Sequence, residues 1–170
     1  MKEWIRDILI AVVVAVIVMQ FIKPTIVKEH SMEPTLYENN YIFLSKQQYR
    51  FGELRRGDIV VFHTSMETNN GGEKLLIKRV IGMQGDIISI RDGVVIRNGE
   101  ALEEEYTLNN HTAGEMEEVT VPEEKIFVMG DNRQNSMDSR DEQVGFVETK
   151  DIIGKAFFRV FPFNKFGFLK

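Results

Sequence analysis

Residues 30–36 read His-Ser-Met-Glu-Pro-Thr-Leu, and the rest of the chain is organised around them. The serine of this stretch, Ser31, lies between residues 25–27, which read Thr-Ile-Val, and a turn that contains Pro34. β-Branched residues favour strands and proline interrupts them, so the pattern predicts a strand that ends shortly before Ser31. The most apolar segment of the chain lies immediately upstream. Ser31 is therefore expected close to the surface that this segment contacts.

The N-terminal segment is long and apolar enough to cross a membrane. Positions 8–19 hold no polar residue, and residues 4–22 form a helix of about 28 Å at ~1.5 Å per residue. The hydrocarbon layer of a bilayer is about 30 Å thick. No small-x-small cleavage site follows, and no polar face suits a buried core helix. We predict an uncleaved single-pass anchor at residues 1–23, with the short N terminus in the cytoplasm and residues 24–170 outside.

Composition excludes several classes of function. A net charge of -5 over 170 residues, without a basic run, argues against a nucleic-acid partner. The chain has no cysteine, so it holds neither disulfides nor thiolate metal sites. His63 and His111 lack the spacing of metal ligands. We expect one domain behind an anchor, without a metal or a cofactor.

Short strand-like runs separated by turns fill most of the remaining chain. They are residues 41–44, 59–62, 74–82, 87–90, 94–96, 125–129 and 152–163. Asp92-Gly93 and Asn98-Gly99 are hairpin signals. Residues 103–124 are acidic and weakly patterned, and we expect them to form an exposed excursion. The sequence predicts a mainly β fold, a barrel or folded sheet, behind one transmembrane helix.

Ser31 becomes a nucleophile only with a base. His30 is a poor one, because neighbouring side chains on an extended chain point in opposite directions. Lys78 lies on a predicted strand, on the face of Leu76 and Val80. Burial lowers the pKa of a lysine by up to about 3–5 units, and the neutral amine then takes a proton from a hydroxyl. The alternative is a lysine that snorkels at the strand end or pairs with an acid.

Arg79 follows Lys78 and lies on the opposite, equally apolar face of the strand. Guanidinium stays charged, so a buried Arg79 needs a buried carboxylate. Residues 130–140, a polar run rich in Asp, Asn and Ser, supply candidates. The run is either a solvated loop or a segment that its own side-chain hydrogen bonds make rigid.

Together these segments resemble the bacterial type I signal peptidases, in particular the compact Gram-positive form. The matching segments run in the family order: the N-terminal anchor, residues 31–36, residues 57–62, residues 78–82 with Gly85-Asp86, and residues 130–133 through Ser136 to residues 138–140. One such string alone is a weak signal. Four in order behind an anchor are a specific one.

The resemblance implies a serine endopeptidase with a Ser/Lys dyad, in which Ser31 is the nucleophile and Lys78 the general base. Its substrates are secretory preproteins, cut after small residues one and three places before the bond. The implied fold is a set of coiled β-sheets with an apolar surface near the bilayer. The implied location is the plasma membrane, with the catalytic domain on the extracytoplasmic side. Apart from the resemblance, residues 157–170 are dense in Phe. Their first half is expected to form a barrel strand with core contacts, and the aromatics and lysines of the last half suit the lipid headgroup layer.

The resemblance also implies roles for five supporting residues. Ser136 resembles the family hydroxyl that orients the lysine amine. Asp131 resembles the partner of Arg79, and Asp138 the partner of Arg140. These two pairs are expected to brace the site.

Substrate binding is expected along two extended segments. A peptide placed between residues 25–29 and residues 74–78 forms backbone hydrogen bonds with both. Shallow pockets that admit alanine and exclude larger side chains would be lined by Val27, Met32, Leu36, Leu76 and Ile77.

Glu29 is a departure from the family pattern. Many members carry a glycine or a serine two residues before the nucleophile, and that serine helps to bind the oxyanion. Here the backbone N–H of Ser31 remains as a donor. An alternative is therefore a relative that binds preproteins without cleaving them. A further one is a self-cleaving repressor-type Ser/Lys protease, against which the anchor and the lack of a DNA-binding helix pair argue.

Overall fold

The structure is a computed structural model that describes residues 2–46, 54–68 and 71–169. Within these ranges it contains one α-helix and twelve strands. They are α1 (Lys2–Phe21), β1 (Ile22–Ile26), β2 (Tyr41–Ser45), β3 (Ile59–Glu67), β4 (Glu73–Met83), β5 (Ile87–Arg91), β6 (Val94–Arg97), β7 (Glu100–Ala101), β8 (Met116–Thr120), β9 (Lys125–Met129), β10 (Val147–Glu148), β11 (Ile152–Phe161) and β12 (Gly167–Phe168). The prediction of a mainly β fold with one N-terminal apolar helix is confirmed.

The helix α1 stands apart from the β core. Its window Trp4–Phe21 has a mean hydropathy of 2.2, and none of the window is buried within the fold. This makes it long and apolar enough to cross a membrane. The helix predicted over residues 4–22 ends at Phe21, and Pro24 lies inside β1. Proline is tolerated there because β1 is an edge strand that pairs only with β2 in the described part of the chain.

The strands form two antiparallel sheets. The larger has eight strands in the order β1-β2-β11-β3-β4-β9-β10, with β12 paired to β11, and the smaller runs β7-β6-β5-β8. The first four residues of β3 are all buried, as are five consecutive residues of β4 from Lys78 to Gly82. Strands with apolar residues on both faces lie inside a fold rather than on its surface. The centre of β4 is therefore shielded from water on both sides.

The predicted hairpins form where the sequence placed them. Asp92 and Gly93 have φ values of 51° and 78°, and Asn98 and Gly99 have values of 55° and 83°. Asn, Asp and Gly adopt this left-handed conformation most readily, and two such residues in succession match the twist of the flanking strands. These turns join β5 to β6 and β6 to β7.

The acidic segment 103–124 differs from the expected exposed excursion. It contributes the strand β8 to the smaller sheet, paired with β5. Thr107, Thr112 and Val121 within it are buried. The hydrophobic periodicity of this segment is weak because only a few separated side chains pack against the rest of the fold, and these do not form a continuous apolar face.

Candidate active site

Ser31 and Lys78, 47 positions apart in the sequence, meet in the interior. Lys78 Nζ donates a hydrogen bond of 2.7 Å to Ser31 Oγ. The amine also donates to the carbonyl of Ile77, at 3.1 Å. Lys78 is fully buried at the centre of β4, and Ser31 is 4% exposed. The amine thus has a hydroxyl and a carbonyl oxygen as neighbours, both of which are uncharged.

Burial lowers the pKa of Lys78 from 10.5 to about 8. The charges of Asp138, Glu29 and Asp131 oppose this shift, whereas that of Lys74 adds to it. With a pKa of about 8, roughly one amine in ten is neutral at pH 7, compared with about one in 3,000 at the ordinary value. The site therefore holds a usable fraction of a neutral base beside a hydroxyl.

His30 is held away from this pair. Its side chain is 55% exposed, and its Nδ1 lies 2.7 Å from Glu33 Oε1. The hydrogen bond with Glu33 raises the pKa of His30. The side chain thus points to solvent. The reason differs from the one expected, because His30 lies at a bend that leads into the turn at residues 31–35 and not in an extended chain.

The polar loop 130–140 packs against the backbone of Ser31. Asn132 N donates to Ser31 O at 3.0 Å, and Asn132 Nδ2 donates to His30 O at 3.2 Å. Gly130 lies so close that a Cβ atom there would collide with Ser31 O and with the side chain of Ser136. The loop is therefore a close-fitting support for the serine and not a solvated excursion.

Arg79 and Asp131 form a buried ion pair behind the loop. Arg79 Nε and Nη2 donate to the two carboxylate oxygens of Asp131 at 2.8 and 2.7 Å, and the side chains are 2% and 0% exposed. Arg79 also donates to Gly57 O at 2.8 Å, and its guanidinium carbon lies 4.0 Å from the ring centroid of Tyr106. Two-point pairing and stacking fix the orientation of a guanidinium.

Asp138 and Arg140 form a second ion pair within the loop. Arg140 Nε and Nη2 donate to Asp138 at 2.8 Å each, and Gly130 N donates to the same carboxylate at 2.9 Å. Burial raises the pKa of Asp138, but the hydrogen bond and charge of Arg140 and the bond from Gly130 outweigh it, so the pKa lies below its usual range. Arg140 also binds Arg133 O at 2.9 Å. The charged carboxylate therefore ties both ends of the loop together.

Ser136 lies over Gly130 with a buried hydroxyl. Its Oγ makes no hydrogen bond of standard geometry with any described residue, although it is close enough to the Asp138 carboxylate to help lower the pKa of that group. Orientation of the Lys78 amine by Ser136 stays a prediction.

A groove of about 910 Å3 is lined by Glu29 and Ile77, which precede Ser31 and Lys78 by two residues and one residue in the sequence. It runs between residues 23–29 on one side and residues 73–77 on the other. Both sides are free strand edges in the described part of the chain, because β1 pairs only with β2, and β9 pairs with β4 only from Arg79 onward. The larger sheet curls so that these two edges face each other. Each side of the groove ends one or two residues before Ser31 or Lys78.

Comparison with known proteins identifies the family. The family model for signal peptidase, peptidase S26, matches residues 1–161. The chain belongs to the signal peptidase family. Signal peptidase I from Bacillus licheniformis is 38% identical over 96% of this chain and 90% of that protein. Probable signal peptidase I-1 from Synechocystis is 38% identical over 98% and 85%. A signal peptidase I structure from Enterococcus faecalis V583 aligns with a TM-score of 0.49 and 29% identity, covering 61% of this chain and 96% of that chain.

In this signal peptidase family member, the predicted pocket residues divide into two groups. Val27, Leu76 and Ile77 line the groove. Met32 and Leu36 are not among its lining residues; both are fully buried and pack with Val27 in the core. Their contact with substrate stays a prediction. In the structure they pack against Val27 and so support one side of the groove.

Three residues outside the matching segments also hold the site of this signal peptidase family member: Glu104, Tyr106 and Thr112. Arg133 Nη1 and Nη2 donate to Glu104 at 2.5 and 2.6 Å, and Nη1 donates to Thr112 at 2.9 Å. Tyr106 lies against Arg79, as described above. Glu104 and Tyr106 stand among other charged residues in the sequence, so nothing nearby distinguishes them. Among the residues that the structure describes, no group of acidic or histidine side chains is arranged to hold a metal ion.

Proposed function

We propose that the chain is a membrane-anchored serine endopeptidase that removes N-terminal signal peptides from secretory preproteins. Ser31 and Lys78 form its dyad. The observation that carries the proposal is the 2.7 Å hydrogen bond between the fully buried Lys78 amine and Ser31 Oγ. The names of the relatives, signal peptidase I, support the substrate class.

The reaction begins with proton transfer. The neutral Lys78 amine takes the Ser31 proton while Oγ attacks the scissile carbonyl carbon, and the backbone N–H of Ser31 donates to the oxyanion that forms. Collapse of this intermediate breaks the C–N bond, and the Lys78 ammonium returns its proton to the leaving amine. A water molecule, deprotonated by Lys78, then attacks the ester carbon. The bond between that carbon and Ser31 Oγ breaks, Oγ takes the proton back from the Lys78 ammonium, and the signal peptide is released as a carboxylic acid.

The groove accounts for the form of the substrate. An extended peptide adds a strand between the two free edges, and its backbone pairs with residues 25–29 and 74–78. Val27, on one side of the groove, and Leu76, on the other, are apolar and packed into the fold, at 2% and 1% exposed. Cleavage after small residues, one and three places before the bond, is the specificity that the resemblance to signal peptidases implies.

The loop supplies the supporting roles. The Arg79–Asp131 and Asp138–Arg140 pairs hold the loop against the Ser31 backbone, and Ser136 contributes a hydroxyl next to the site. These residues act by fixing the position of the dyad and not by contact with the reacting atoms.

The chain is anchored by residues 1–23, with residues 24–170 as the protease domain on the extracytoplasmic side of the plasma membrane. The apolar helix α1 supports the anchor. Phe163, Phe166 and Phe168 are 76%, 59% and 77% exposed. An exposed aromatic cluster of this kind suits the interfacial layer of a bilayer. Protease digestion of sealed cells or spheroplasts tests the orientation, since a protease domain outside is digested while the membrane is intact.

The central test is cleavage of a secretory preprotein by the full chain in liposomes. The wild type is expected to release a mature protein whose N terminus follows a small residue. Ser31→Ala and Lys78→Ala are expected to abolish cleavage, whereas His30→Ala, next to the nucleophile, is expected to retain it. Cleavage that persists in both the Ser31 and the Lys78 variants would rule out the dyad.

A preprotein-binding relative without turnover is the second candidate. The observation that favours it is the carboxylate of Glu29, two residues before Ser31. In this case the wild type binds the preprotein and leaves it intact, and Glu29→Gly gains cleavage. The same assay therefore separates the two candidates.

A further inference from the structure

An ion pair crosses the groove between Glu29, two residues before Ser31, and Lys74, four residues before Lys78. Lys74 Nζ lies 3.1 Å from Glu29 Oε1, with side chains 32% and 42% exposed. Glu29 lines one side of the groove and Lys74 the other. The two sides do not pair through their backbones in the described ranges. The Glu29 carboxylate is therefore drawn across the gap toward the opposite edge.

The location makes an unpaired carboxylate costly to the proposed reaction. Glu29 is two residues from the nucleophile, where negative charge develops on the oxyanion. A like charge nearby opposes that charge, and it also stabilises the ammonium form of the base. A cation that holds the carboxylate reduces both effects.

We propose, on the basis of the function proposed above, that Lys74 is a positioning residue. It holds the Glu29 carboxylate away from the reacting atoms and offsets its charge, so that Lys78 loses its proton readily and the oxyanion is not repelled.

The charges that face Lys78 agree with this role. From the loop, Asp138 and Asp131 favour the protonated amine, and from the segment after β1, Glu29 does the same. Lys74, on β4 itself, opposes them. Since the two aspartates are already paired with Arg140 and Arg79, Glu29 is the carboxylate whose effect depends on Lys74.

The first measurement is independent of catalysis. The titration of Lys78 is followed by NMR of its labelled Cε in the full chain in detergent micelles. We expect Lys74→Gln to raise the pH midpoint of the Lys78 titration by about half a unit to one unit. Glu29→Gln is expected not to raise this midpoint, and the double variant is expected to have the same midpoint as Glu29→Gln. Lys150→Gln is the matched control, because Lys150 also pairs with a glutamate, Glu148 at 2.6 Å, on an exposed surface away from the groove. A Lys74→Gln midpoint equal to the wild-type value would overturn the proposal.

The second measurement is kcat and KM against pH. Lys74→Gln is expected to lower kcat about three- to tenfold at pH 7, as that midpoint shift requires, with KM little changed. Adding Glu29→Gln to the Lys74→Gln variant is expected to restore kcat. The control Lys150→Gln is expected to leave the wild-type kcat unchanged. A defect that survives in the double variant would overturn the proposal, as would a lower KM in Lys74→Gln, which would instead identify the pair as an obstruction. A wild type that never cleaves overturns the proposed function, and the NMR titration still decides the role of Lys74.

Discussion

The guanidinium of Arg79 donates to both carboxylate oxygens of Asp131, at 2.8 and 2.7 Å, with at most 2% of either side chain exposed. Arg79 follows Lys78 on β4, and Asp131 lies in the loop that packs against Ser31. The ion pair therefore connects the strand that carries Lys78 to the loop that packs against Ser31.

Asp131→Asn is expected to destabilise the fold by about 3–5 kcal/mol, because it leaves the Arg79 charge buried without its counter-ion. Unfolding by urea in detergent micelles measures this. Glu118→Gln is the matched control. It breaks an ion pair with Arg91 whose side chains are 58% and 61% exposed, and it is expected to change the free energy of unfolding by less than about 1 kcal/mol. Equal losses in the two variants would contradict the structural role of the buried pair.

The rate of cleavage is expected to follow the neutral fraction of Lys78. With a pKa of about 8, kcat/KM rises about tenfold per pH unit below pH 8 and levels off above it. Lys78→Arg is expected to be inactive over the whole range, because guanidinium keeps its proton. A profile that levels off well below pH 8 would contradict Lys78 as the base.

Lys78 is also expected to weaken the fold at neutral pH. Its pKa is about 8 in the folded chain and 10.5 when exposed, so between these values the unfolded chain binds more protons and stability rises with pH. Below pH 8 the full cost of burying the charge, about 3 kcal/mol, is present. The Lys78→Met variant has no amine at this position, so it does not carry this cost. At pH 7 its free energy of unfolding is therefore expected to exceed that of the wild type, and this difference is expected to shrink by about 3 kcal/mol between pH 7 and pH 11. A difference that stays constant over this range would refute a buried ammonium at Lys78.

Gly130→Ala is expected to lower kcat by about a hundredfold, since a misplacement of about 1 Å at a reacting group has that effect. The added Cβ would lie 2.6 Å from Ser136 Cβ and would also collide with Ser31 O. The matched control is Gly72→Ala, whose Cβ would meet Thr68 Oγ1 at an ordinary 3.4 Å. Wild-type kcat in Gly130→Ala would show that the loop yields without moving the serine.

Much of the secondary structure of this chain could be predicted from local sequence patterns. The apolar segment, the alternation along β4 and the turns at Asp92-Gly93 and Asn98-Gly99 each depend on neighbours in sequence, and the structure agrees with all of them. The acidic segment is the main failure. Tyr106 and Glu104 find their partners through contacts with distant residues, and no periodicity within the segment records those contacts.

The sequence by itself determined the family, the mainly β fold, the apolar helix and the choice of Ser31 and Lys78 as the pair to consider, because motif order and hydrophobic period are properties of the chain. Only the tertiary structure decided that the two meet at 2.7 Å, that Met32 and Leu36 lie beneath the groove, and that Glu29 reaches Lys74. Those outcomes depend on how far the larger sheet curls, and the curl is set by packing between strands that are far apart in sequence.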